Sequence, residues 1–507
     1  MTRTDPATDP VTGPVTGPVT GPVTDTADLP RRPALIADRQ VTGTEWIPSL
    51  DPSNGRPFAL VARCGAAEID QAVEAARHTY DRTWRRTSAR QRGAVCHAIA
   101  RMLRAERSSL ADLETLDTGK PISQSLVDVD VAARYFEFYG STVEALHGET
   151  LPADADLLAF TLREPYGVCG HIIPWNYPLQ VAARTVAPAL AAGNCCVLKP
   201  AEDASLSSLR LGELALAAGL PPGALNVVPG FGDEAGAALA GHPDVDHLAF
   251  TGSREVGELV MIAAAHNIVP VTLELGGKSP HIVLPDFDIG TALPLIVGSI
   301  TEHAGQNCSA GSRLLVHESV HDELVSGLAD AFRSLRIGPG ASDPDMGPLI
   351  SAKQRLRVLD HMEQGRKDCH LVTGGGTPVG PRYGDGFFVE PTLFTEVTPE
   401  HTVFNEEIFG PVLCVTPFGT PAEAVRLAEH TTYGLGAGIW TRDLATAHHL
   451  AGELRVGQVF VNNYSAAGGV ELPFGGYRRS GIGVEKGFEA LREYSRCKTV
   501  AIRTAVT

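Results

Sequence analysis

Residues 168–200 have the sequence VCGHIIPWNYPLQVAARTVAPALAAGNCCVLKP, in which two short apolar runs flank a segment with helical spacing. The alternation continues to residue 275 and resumes from residue 281. The apolar runs are Val168–Ile173, Cys195–Leu198, Leu225–Val228, His247–Phe250, Val271–Leu275, His281–Leu284 and Arg313–His317. Repeated strand–helix–strand units predict a doubly wound parallel sheet with a ligand crevice at the carboxyl ends of its strands. The predicted fold class is therefore α/β, with a second α/β domain after the first.

Length and composition indicate a globular protein with more than one domain. A chain of 507 residues is too long for one hydrophobic core, so we expect two or three domains. Hydrophobic residues make up 43% and charged residues 20%, an ordinary globular composition. The formal net charge of −17 argues against a nucleic-acid partner, because an acidic surface repels a polyanion.

The cysteines and the hydropathy pattern predict a cytoplasmic protein. Nine scattered cysteines without a regular framework do not suggest a disulfide-stapled secreted domain. No run approaches the roughly 20 apolar residues that span a bilayer, and the first residues lack the basic and apolar regions of a signal peptide. We therefore expect no membrane partner and a reducing compartment.

Residues 1–33 form a low-complexity tail, in which the unit Val-Thr-Gly-Pro recurs from Val11 to Pro22. Proline and glycine at this frequency do not support a core, so the tail is predicted to be disordered. The alternative is that the repeat is a docking segment for a partner.

Helical spacing precedes the predicted sheet. Apolar residues recur on one helix face at Ile69, Val73, Ala76 and Tyr80, and a longer helix is predicted from Ala89 to Leu116. Residues His147 to Arg163 alternate in a strand-like way around Pro152 and Asp154, which predicts a protruding hairpin. Its edge strands would be exposed in a monomer, so we expect pairing with a second subunit.

A cysteine among small and amide residues is the first candidate for chemistry. The segment is Gly305-Gln306-Asn307-Cys308-Ser309-Ala310-Gly311, just ahead of an apolar strand. Small neighbours leave room for a substrate beside the sulfur, and backbone amides of a following helix or turn would lower the pKa of the thiol. The alternative is an inert core cysteine, the commoner role of a lone cysteine.

Two further segments end predicted strands with polar side chains. In Leu273-Glu274-Leu275-Gly276-Gly277-Lys278-Ser279-Pro280, the carboxylate of Glu274 is placed either as a general base or as a turn cap. In Pro174-Trp175-Asn176-Tyr177-Pro178, the amide of Asn176 is placed to stabilise an oxyanion, and the alternative is a rigid aromatic loop.

Together these segments resemble the aldehyde dehydrogenase superfamily. Five more segments resemble its signatures in the family's order: Lys199–Glu202, Pro229–Gly232, Phe250–Ser253, Glu406–Pro411 and Pro473–Gly476. The resemblance covers about Pro33 to Val500, and eight moderately specific motifs in order leave little room for coincidence.

The resemblance implies a catalytic mechanism residue by residue. Cys308 would attack the aldehyde carbon, and the oxyanion of the thiohemiacetal would be held by the Asn176 side chain and the Cys308 backbone N–H. Hydride would then leave to the nicotinamide. Glu274 would activate the water that hydrolyses the thioester, with its pKa raised by partial burial.

The resemblance also implies an NAD site. Its contacts would be Pro174, Trp175, Lys199, Glu202, Gly232, Phe250, Gly252, Ser253, Leu275, Glu407 and Phe409. Lys199 and Glu202 would contact the adenosine ribose, Glu407 the nicotinamide ribose, and Ser253 the pyrophosphate at a helix N-terminus. A carboxylate at Glu202 would repel a 2′-phosphate, so NAD is expected rather than NADP. The alternative for Lys199 and Glu202 is an exposed ion pair.

Four residues are expected to contact the substrate: Tyr177, Arg184, Asn307 and Ser309. Arg184 matches the position of a substrate-binding arginine in semialdehyde dehydrogenases whose substrates carry a carboxylate, which a guanidinium binds in a bidentate manner. We therefore expect an aldehyde with a remote acidic or polar group. The alternative is that Arg184 pairs with a local acid such as Glu471.

Two features bear on the substrate pocket. Thr185 departs from the family pattern, since many members have a lysine there, and this puts in doubt the proton-relay role of the glutamate matching Glu485. The resemblance places the segment Ser465–Val470 at the substrate entrance, where it has no aromatic side chain for a quaternary ammonium cage, so betaine aldehyde is a weaker candidate.

The resemblance further implies domain boundaries. The NAD-binding domain would comprise residues 34–145 and 164–276, and the catalytic domain residues 277–477. Residues 146–163 and 487–507 would form an oligomerisation element. The family suggests a homodimer or homotetramer.

Three rival functions can be distinguished by one assay, the formation of NADH from a small aldehyde in the absence of CoA. A CoA-acylating semialdehyde dehydrogenase would lack the glutamate found here as Glu274. A cysteine hydrolase would need a histidine base, and no histidine-rich segment accompanies Cys308. A non-catalytic protein would have no need of Cys308, Glu274 and Asn176 together.

No metal site is predicted, because the 17 histidines show no HExxH spacing.

Overall fold

The computed structural model describes residues 28–465 and 469–504. The repeats from Val11 to Pro22 therefore lie outside the described residues, with most of the tail predicted over residues 1–33. Arg31–Arg32, which the sequence assigned to that tail, form a strand that pairs in parallel with Leu60 and Val61. The folded chain thus begins earlier than predicted, because these backbone groups complete a sheet edge.

The secondary structure alternates strands and helices over most of the chain. The strands of the described residues are β1 (Arg31–Arg32), β2 (Ala34–Ile36), β3 (Arg39–Val41), β4 (Glu45–Asp51), β5 (Arg56–Arg63), β6 (Thr150–Leu151), β7 (Leu157–Pro165), β8 (Val168–Ile172), β9 (Cys195–Lys199), β10 (Leu225–Val227), β11 (His247–Thr251), β12 (Val271–Glu274), β13 (Pro280–Val283), β14 (Arg313–His317), β15 (His370–Thr373), β16 (Thr392–Thr395), β17 (Val412–Phe418), β18 (Gly436–Trp440), β19 (Gln458–Val461), β20 (Gly481–Ile482) and β21 (Ser495–Arg503).

The α-helices in the same ranges are α1 (Ala66–Arg82), α2 (Ala89–Ala105), α3 (Arg107–Thr118), α4 (Ile122–Thr142), α5 (Pro178–Ala192), α6 (Leu206–Ala217), α7 (Ala237–Ala240), α8 (Arg254–His266), α9 (Ile289–Thr301), α10 (His321–Ser334), α11 (Ala352–Asp368), α12 (Thr402–Asn405), α13 (Pro421–Glu429), α14 (Leu444–Glu453) and α15 (Glu489–Glu493). None of them, in the described part of the chain, is long and apolar enough to cross a membrane.

The first sheet has eight strands in the order β20-β12-β11-β8-β9-β10-β2-β3. Its five central strands are parallel, and β20, β2 and β3 add antiparallel edges. Every residue of β8, β9 and β11 is buried, as expected of a parallel sheet covered by helices on both faces. The predicted α/β fold and its strand–helix alternation are therefore confirmed.

The second sheet has seven strands in the order β15-β16-β17-β14-β13-β18-β19. It is parallel except for β15, and separate apolar clusters form the core on its two sides. The chain passes from β12 of the first sheet to β13 of the second between residues 275 and 279. The loop between β12 and β13 therefore lies where strands of the two sheets end close to each other.

The predicted hairpin belongs to a third, three-stranded sheet of order β21-β7-β6. β7 pairs along its whole length with β21, from Ser495 opposite Pro165 to Arg503 opposite Leu157, whereas β6 covers only two of its residues. Leu157, Leu158 and Leu162 of β7 are exposed. Such an incompletely covered strand matches the edge that was expected in a monomer.

One predicted helix proved to be two. The helix predicted from Ala89 to Leu116 breaks at Glu106, which separates α2 from α3. The Glu106 carboxylate accepts a hydrogen bond from Arg210 Nε of α6 at 2.8 Å, while Glu106 itself has φ −102° and ψ 19°. The sequence did not predict this break, because the apolar spacing continues from α2 into α3 and no helix-breaking residue lies between them. The break coincides with the tertiary contact to Arg210.

Candidate active site

A cavity of about 380 Å³ brings the three candidate catalytic side chains together. Glu274 ends β12, Asn176 follows β8 in the same parallel sheet, and Cys308 lies in the loop before β14 of the second sheet. All three line the cavity. Parallel strands end on one side of a sheet, which is why residues about 100 positions apart in the chain meet here.

The turn before Cys308 has an unusual backbone. His303, Ala304 and Gly305 have φ values of 46°, 53° and 73°, a left-handed run at the end of α9. A Cβ at Gly305 would lie 2.4 Å from the Gly410 carbonyl oxygen, so only glycine fits. Left-handed conformations of other residues cost about 1–3 kcal/mol each and are concentrated at functional sites. This turn sets the direction from which the cysteine enters the cavity.

The environment of the Cys308 thiol differs from the sequence prediction. Its Sγ lies 3.8 Å from Asn307 Oδ1. Burial raises the pKa of the thiol to about 11, and the nearby positive charge of Arg184 opposes this shift. The expectation that backbone amides lower this pKa is wrong, because desolvation in the cavity is the largest contribution and raises it.

A hydrogen bond to the segment that precedes Cys308 orients the Asn176 side chain. Its Nδ2 donates a hydrogen bond to the Gln306 backbone carbonyl at 2.9 Å, two residues before Cys308. Gln306 is fixed in turn, since its Nε2 donates to the His303 carbonyl at 3.1 Å and its Oε1 accepts from the Ile350 N–H at 2.9 Å. One N–H of the Asn176 amide therefore sets the orientation of the group, and the amide retains a second N–H.

Glu274 is a buried carboxyl group without a fixed partner. It is 1% exposed, and neither carboxyl oxygen has a hydrogen-bond partner among the described residues. Burial raises its pKa well above the usual carboxyl range, and the negative charge of Glu485 adds to the shift. The predicted direction of this pKa shift is confirmed.

Arg184 pairs with a local acid, which was the alternative considered from the sequence, but the acid is Glu485 rather than Glu471. The Arg184 Nε lies 2.5 Å from Glu485 Oε2, and its Nη2 donates to Thr251 Oγ1 at 3.2 Å. Glu471 pairs with Arg134 instead. Sequence spacing did not reveal this partner, because Glu485 approaches α5 from the segment after β20. Arg184 still lines the cavity.

Thr185, which replaces the family lysine, is buried inside α5. Its hydroxyl donates to the Val181 carbonyl at 3.2 Å. The Glu485 carboxylate is therefore paired with the guanidinium of the preceding residue, Arg184, rather than with an ammonium group.

Six of the expected cofactor residues line the same cavity: Pro174, Trp175, Gly252, Ser253, Glu407 and Phe409. The rings of Trp175 and Phe409 meet edge to face with centroids 5.4 Å apart. Ser253 is the N-cap of α8, where free backbone N–H groups favour an anion.

Glu407 approaches the strand-end loop closely. Its Oε1 accepts the Gly277 N–H at 3.1 Å, and burial raises its pKa to about 7. A Cβ at Gly276 would lie 1.9 Å from Glu407 Oε2, so this glycine makes room for the carboxylate.

The other expected cofactor residues lie outside the cavity wall. Lys199 ends β9, and its Nζ is 3.2 Å from Glu202 Oε2, but Lys199 is buried, so this is not the exposed ion pair that was considered as an alternative. Gly232 is exposed, and a Cβ there would meet no atom within 4 Å. Phe250 packs against Gly252, and Leu275 packs against Gly257 of α8. These last two support the loop and the helix rather than face the cavity.

The expected substrate residues Tyr177, Asn307 and Ser309 line the cavity together with Arg184. Ser465 does as well, whereas residues 466–468 of the entrance segment Ser465–Val470 lie outside the described residues.

Several cavity residues were missed from the sequence. Gln354 and Arg357 of α11 hold the Glu407–Phe409 segment: Gln354 Nε2 donates to the Phe409 carbonyl at 2.8 Å and Arg357 Nη2 to the Glu407 carbonyl at 2.9 Å. Lys486 also lines the cavity, and its Nζ lies 5.0 Å from the centroid of the Phe474 ring. Burial lowers the pKa of Lys486 to about 8. No local spacing marks these residues, since only the tertiary fold brings them to the site.

Comparison with known proteins agrees with this geometry. Residues 39–500 match the aldehyde dehydrogenase family. Mitochondrial aldehyde dehydrogenase of Homo sapiens is 39% identical over 487 residues, which cover 93% of this chain and 93% of that protein. The structure of an NAD+ complex of aldehyde dehydrogenase from Bacillus cereus is 39% identical, with a TM-score of 0.91, covering 94% of this chain and 97% of that one. The structure of gamma-glutamyl-gamma-aminobutyraldehyde dehydrogenase from Burkholderia cenocepacia J2315 is 43% identical, again with a TM-score of 0.91 and covering 94% and 97%. The chain belongs to the aldehyde dehydrogenase family.

Proposed function

We propose that this protein oxidises an aldehyde to a carboxylic acid, with NAD as cofactor and Cys308 as the nucleophile. The observation that carries the proposal is that a thiol, a fixed side-chain amide and a buried carboxyl group line one cavity. A non-catalytic protein would have no reason to desolvate both a thiol and a carboxyl group at the same place.

The residues present fit a nicotinamide dinucleotide. The N-terminus of α8 offers free N–H groups for a pyrophosphate, Glu407 offers a carboxylate for a ribose, and the backbone at Gly232 is open to close approach. Glu202, placed beside Lys199, would repel a 2′-phosphate, which favours NAD over NADP. When bound, NAD supplies the acceptor for the hydride that leaves the aldehyde carbon.

The chain's own residues perform the remaining steps. The Cys308 thiol loses its proton to solvent and its sulfur adds to the aldehyde carbon, while the second N–H of the Asn176 amide, together with the Cys308 backbone N–H, holds the oxygen that becomes negative. Once the hydride has left this carbon, a thioester remains on Cys308. Glu274, with no hydrogen-bond partner among the described residues, accepts in its carboxylate form a proton from the water that attacks the thioester carbon. The carbon–sulfur bond then breaks, the carboxylic acid is released, and Cys308 is restored.

The site favours this reaction over the two enzymatic rivals. A CoA-acylating enzyme does not need a base for water, and Glu274 lies on the cavity wall. A cysteine hydrolase needs a histidine near the sulfur, and no described histidine lines the cavity. Formation of NADH from a small aldehyde without CoA separates these functions.

We further propose that the aldehyde carries a remote acidic or polar group. Three basic side chains, Arg184, Arg357 and Lys486, line the cavity, and Arg184 is paired with Glu485. Asp128 also lines the cavity, but it is paired with Lys120. The name of the Burkholderia cenocepacia relative denotes an aldehyde with a polar γ-glutamyl group, which is consistent with such a substrate.

The assembly proposed from the hairpin is a homodimer or homotetramer. Besides the incompletely covered β7, helix α8 exposes Leu259, at 66%, and Ile262, at 58%, next to Val256 and Met261. A contiguous exposed apolar face of this kind favours burial against another subunit. The cytoplasmic location inferred from the cysteines stays a prediction.

The first prediction concerns Glu274. Glu274→Gln should still form about one equivalent of NADH per active site in a rapid phase, because the thiol and Asn176 are intact, whereas steady-state turnover should fall about 10²–10⁴-fold. Stopped-flow NADH absorbance measures both phases. Cys308→Ser should lose the rapid phase as well. Full steady-state turnover of Glu274→Gln would contradict the role of this residue.

The second prediction concerns the thiol. Because the thiol pKa of Cys308 is about 11, its thiolate fraction should grow about tenfold per pH unit throughout pH 7–9 in the cofactor-free protein. Alkylation by iodoacetamide, followed at the Cys308 peptide by mass spectrometry, should accelerate accordingly. The exposed Cys497 provides a reference site within the same sample. A rate that levels off below pH 8 would show that the free thiol is already activated.

The third prediction concerns the substrate. Lys486→Met and Arg184→Leu should each lower kcat/KM for succinic semialdehyde about tenfold relative to an uncharged aldehyde of equal length, as expected for the loss of about 1.4 kcal/mol. The two variants test different basic residues of the cavity wall, and Arg184→Leu also leaves Glu485 without its guanidinium partner. An unchanged preference in both variants would eliminate the remote acidic group.

The fourth prediction concerns assembly. Light scattering should give a mass at least twice the chain mass of 53.6 kDa. Leu259→Asp with Ile262→Asp should reduce the mass towards that of one chain, because two charges would enter the apolar face. Val379→Asp, at a residue that is 97% exposed, is the matched control. A monomeric wild-type protein would contradict the proposal.

A further inference from the structure

A buried ion pair lies directly behind the candidate oxyanion residue. Lys120, between α3 and α4, is completely buried, and its Nζ lies 2.5 Å from Asp128 Oδ2 of α4. The same Nζ donates a hydrogen bond to the backbone carbonyl of Asn176 at 2.9 Å and lies 4.2 Å from the centroid of the Tyr177 ring. Lys120 itself does not line the cavity, but its three partners Asp128, Asn176 and Tyr177 do.

Packing alone does not account for this lysine. Removing an ammonium group from water is costly, and an apolar side chain of the same length would fill the space without that cost. The charge is compensated by one carboxylate, one backbone carbonyl and one aromatic face. Two of these three partners, Asn176 and Tyr177, belong to the loop between β8 and α5 that supplies the cavity wall.

A second buried acid holds the next turn of the same loop. Glu114 of α3 is completely buried, and its Oε1 accepts the Leu179 N–H at 3.2 Å, one of the free donors in the first turn of α5. On the side away from the cavity, Lys120 thus binds the backbone carbonyl of Asn176, and Glu114 binds the backbone N–H of Leu179. From the cavity side, the Asn176 amide is held by the Gln306 carbonyl.

We propose that Lys120, paired with Asp128, is a positioning residue that fixes the backbone of Asn176 and thereby the point at which the substrate oxygen is bound. The inference rests on the proposed role of Asn176 in holding that oxygen. Hydrogen-bond donors to a developing oxyanion lose much of their effect when displaced by a fraction of an ångström, because the stabilisation depends on a preorganised geometry.

The test is a double-mutant cycle between Lys120→Met and Asn176→Ala. The rate constant of the rapid NADH phase should fall about tenfold or more in Lys120→Met, with little change in the affinity for NAD. In the Asn176→Ala background the same Lys120→Met change should have a clearly smaller effect, because the group it positions is already absent. Asp128→Asn, which keeps the volume and removes the charge, should lower the rate in the same direction and serves if Lys120→Met does not fold.

Asn194→Ala is the matched control for a loss of stability. Asn194 is also completely buried, and its Nδ2 donates to the Ala189 and Tyr494 carbonyls at the opposite end of α5. This variant should lower Tm without changing the rapid-phase rate constant. Equal effects of Lys120→Met in both backgrounds, or no effect in either, would overturn the inference alone. A rapid phase unaffected by Asn176→Ala would instead overturn the proposed role of Asn176.

Discussion

The account depends on the removal of two titratable groups from water within one cavity. Desolvation raises the pKa of the Cys308 thiol to about 11 and that of the Glu274 carboxyl group well above its usual range. Burial thus disfavours the charged form of each group, and the positive charge of Arg184 opposes both shifts. A thiolate formed in such surroundings is a stronger nucleophile than one in water, and a carboxylate formed there is a stronger base. The burial of both groups in one cavity links the two halves of the proposed reaction.

The fold makes this cavity by bringing together segments that are distant in the chain. The parallel first sheet delivers Asn176 and Glu274 at the ends of β8 and β12, and the second sheet delivers Cys308 through the left-handed turn at residues 303–305. Behind these groups, buried polar side chains hold the backbone: Gln306 on one side, Lys120 and Glu114 on the other. Phe409, Ser465 and Lys486, which line the cavity, also have positive φ values. Left-handed backbone and buried charge thus both occur next to the side chains that must be held still.

Sequence patterns predicted the parts of the molecule in which local spacing reflects structure. The buried strands from Val168 to His317 were found because continuous apolar runs between helices are typical of a covered parallel sheet. The direction of the Glu274 pKa shift was implied by the family resemblance. Spacing did not predict the features that a tertiary contact determines: the break at Glu106, the partner of Arg184, and the environment of the Cys308 thiol. Lys120, Gln354 and Lys486 could not be predicted as residues in or next to the site, since each lies in a segment with no motif of its own.

The most direct test of the central claim is rapid-quench mass spectrometry of a single turnover. Protein with NAD is mixed with an aldehyde, quenched in acid within the first turnover, digested and analysed peptide by peptide. The account predicts an added mass equal to the acyl group on the peptide that contains Cys308, and a larger and longer-lived signal in Glu274→Gln. An acyl group on any other residue, or NADH formation with no acylated peptide at any time in Glu274→Gln, would contradict it.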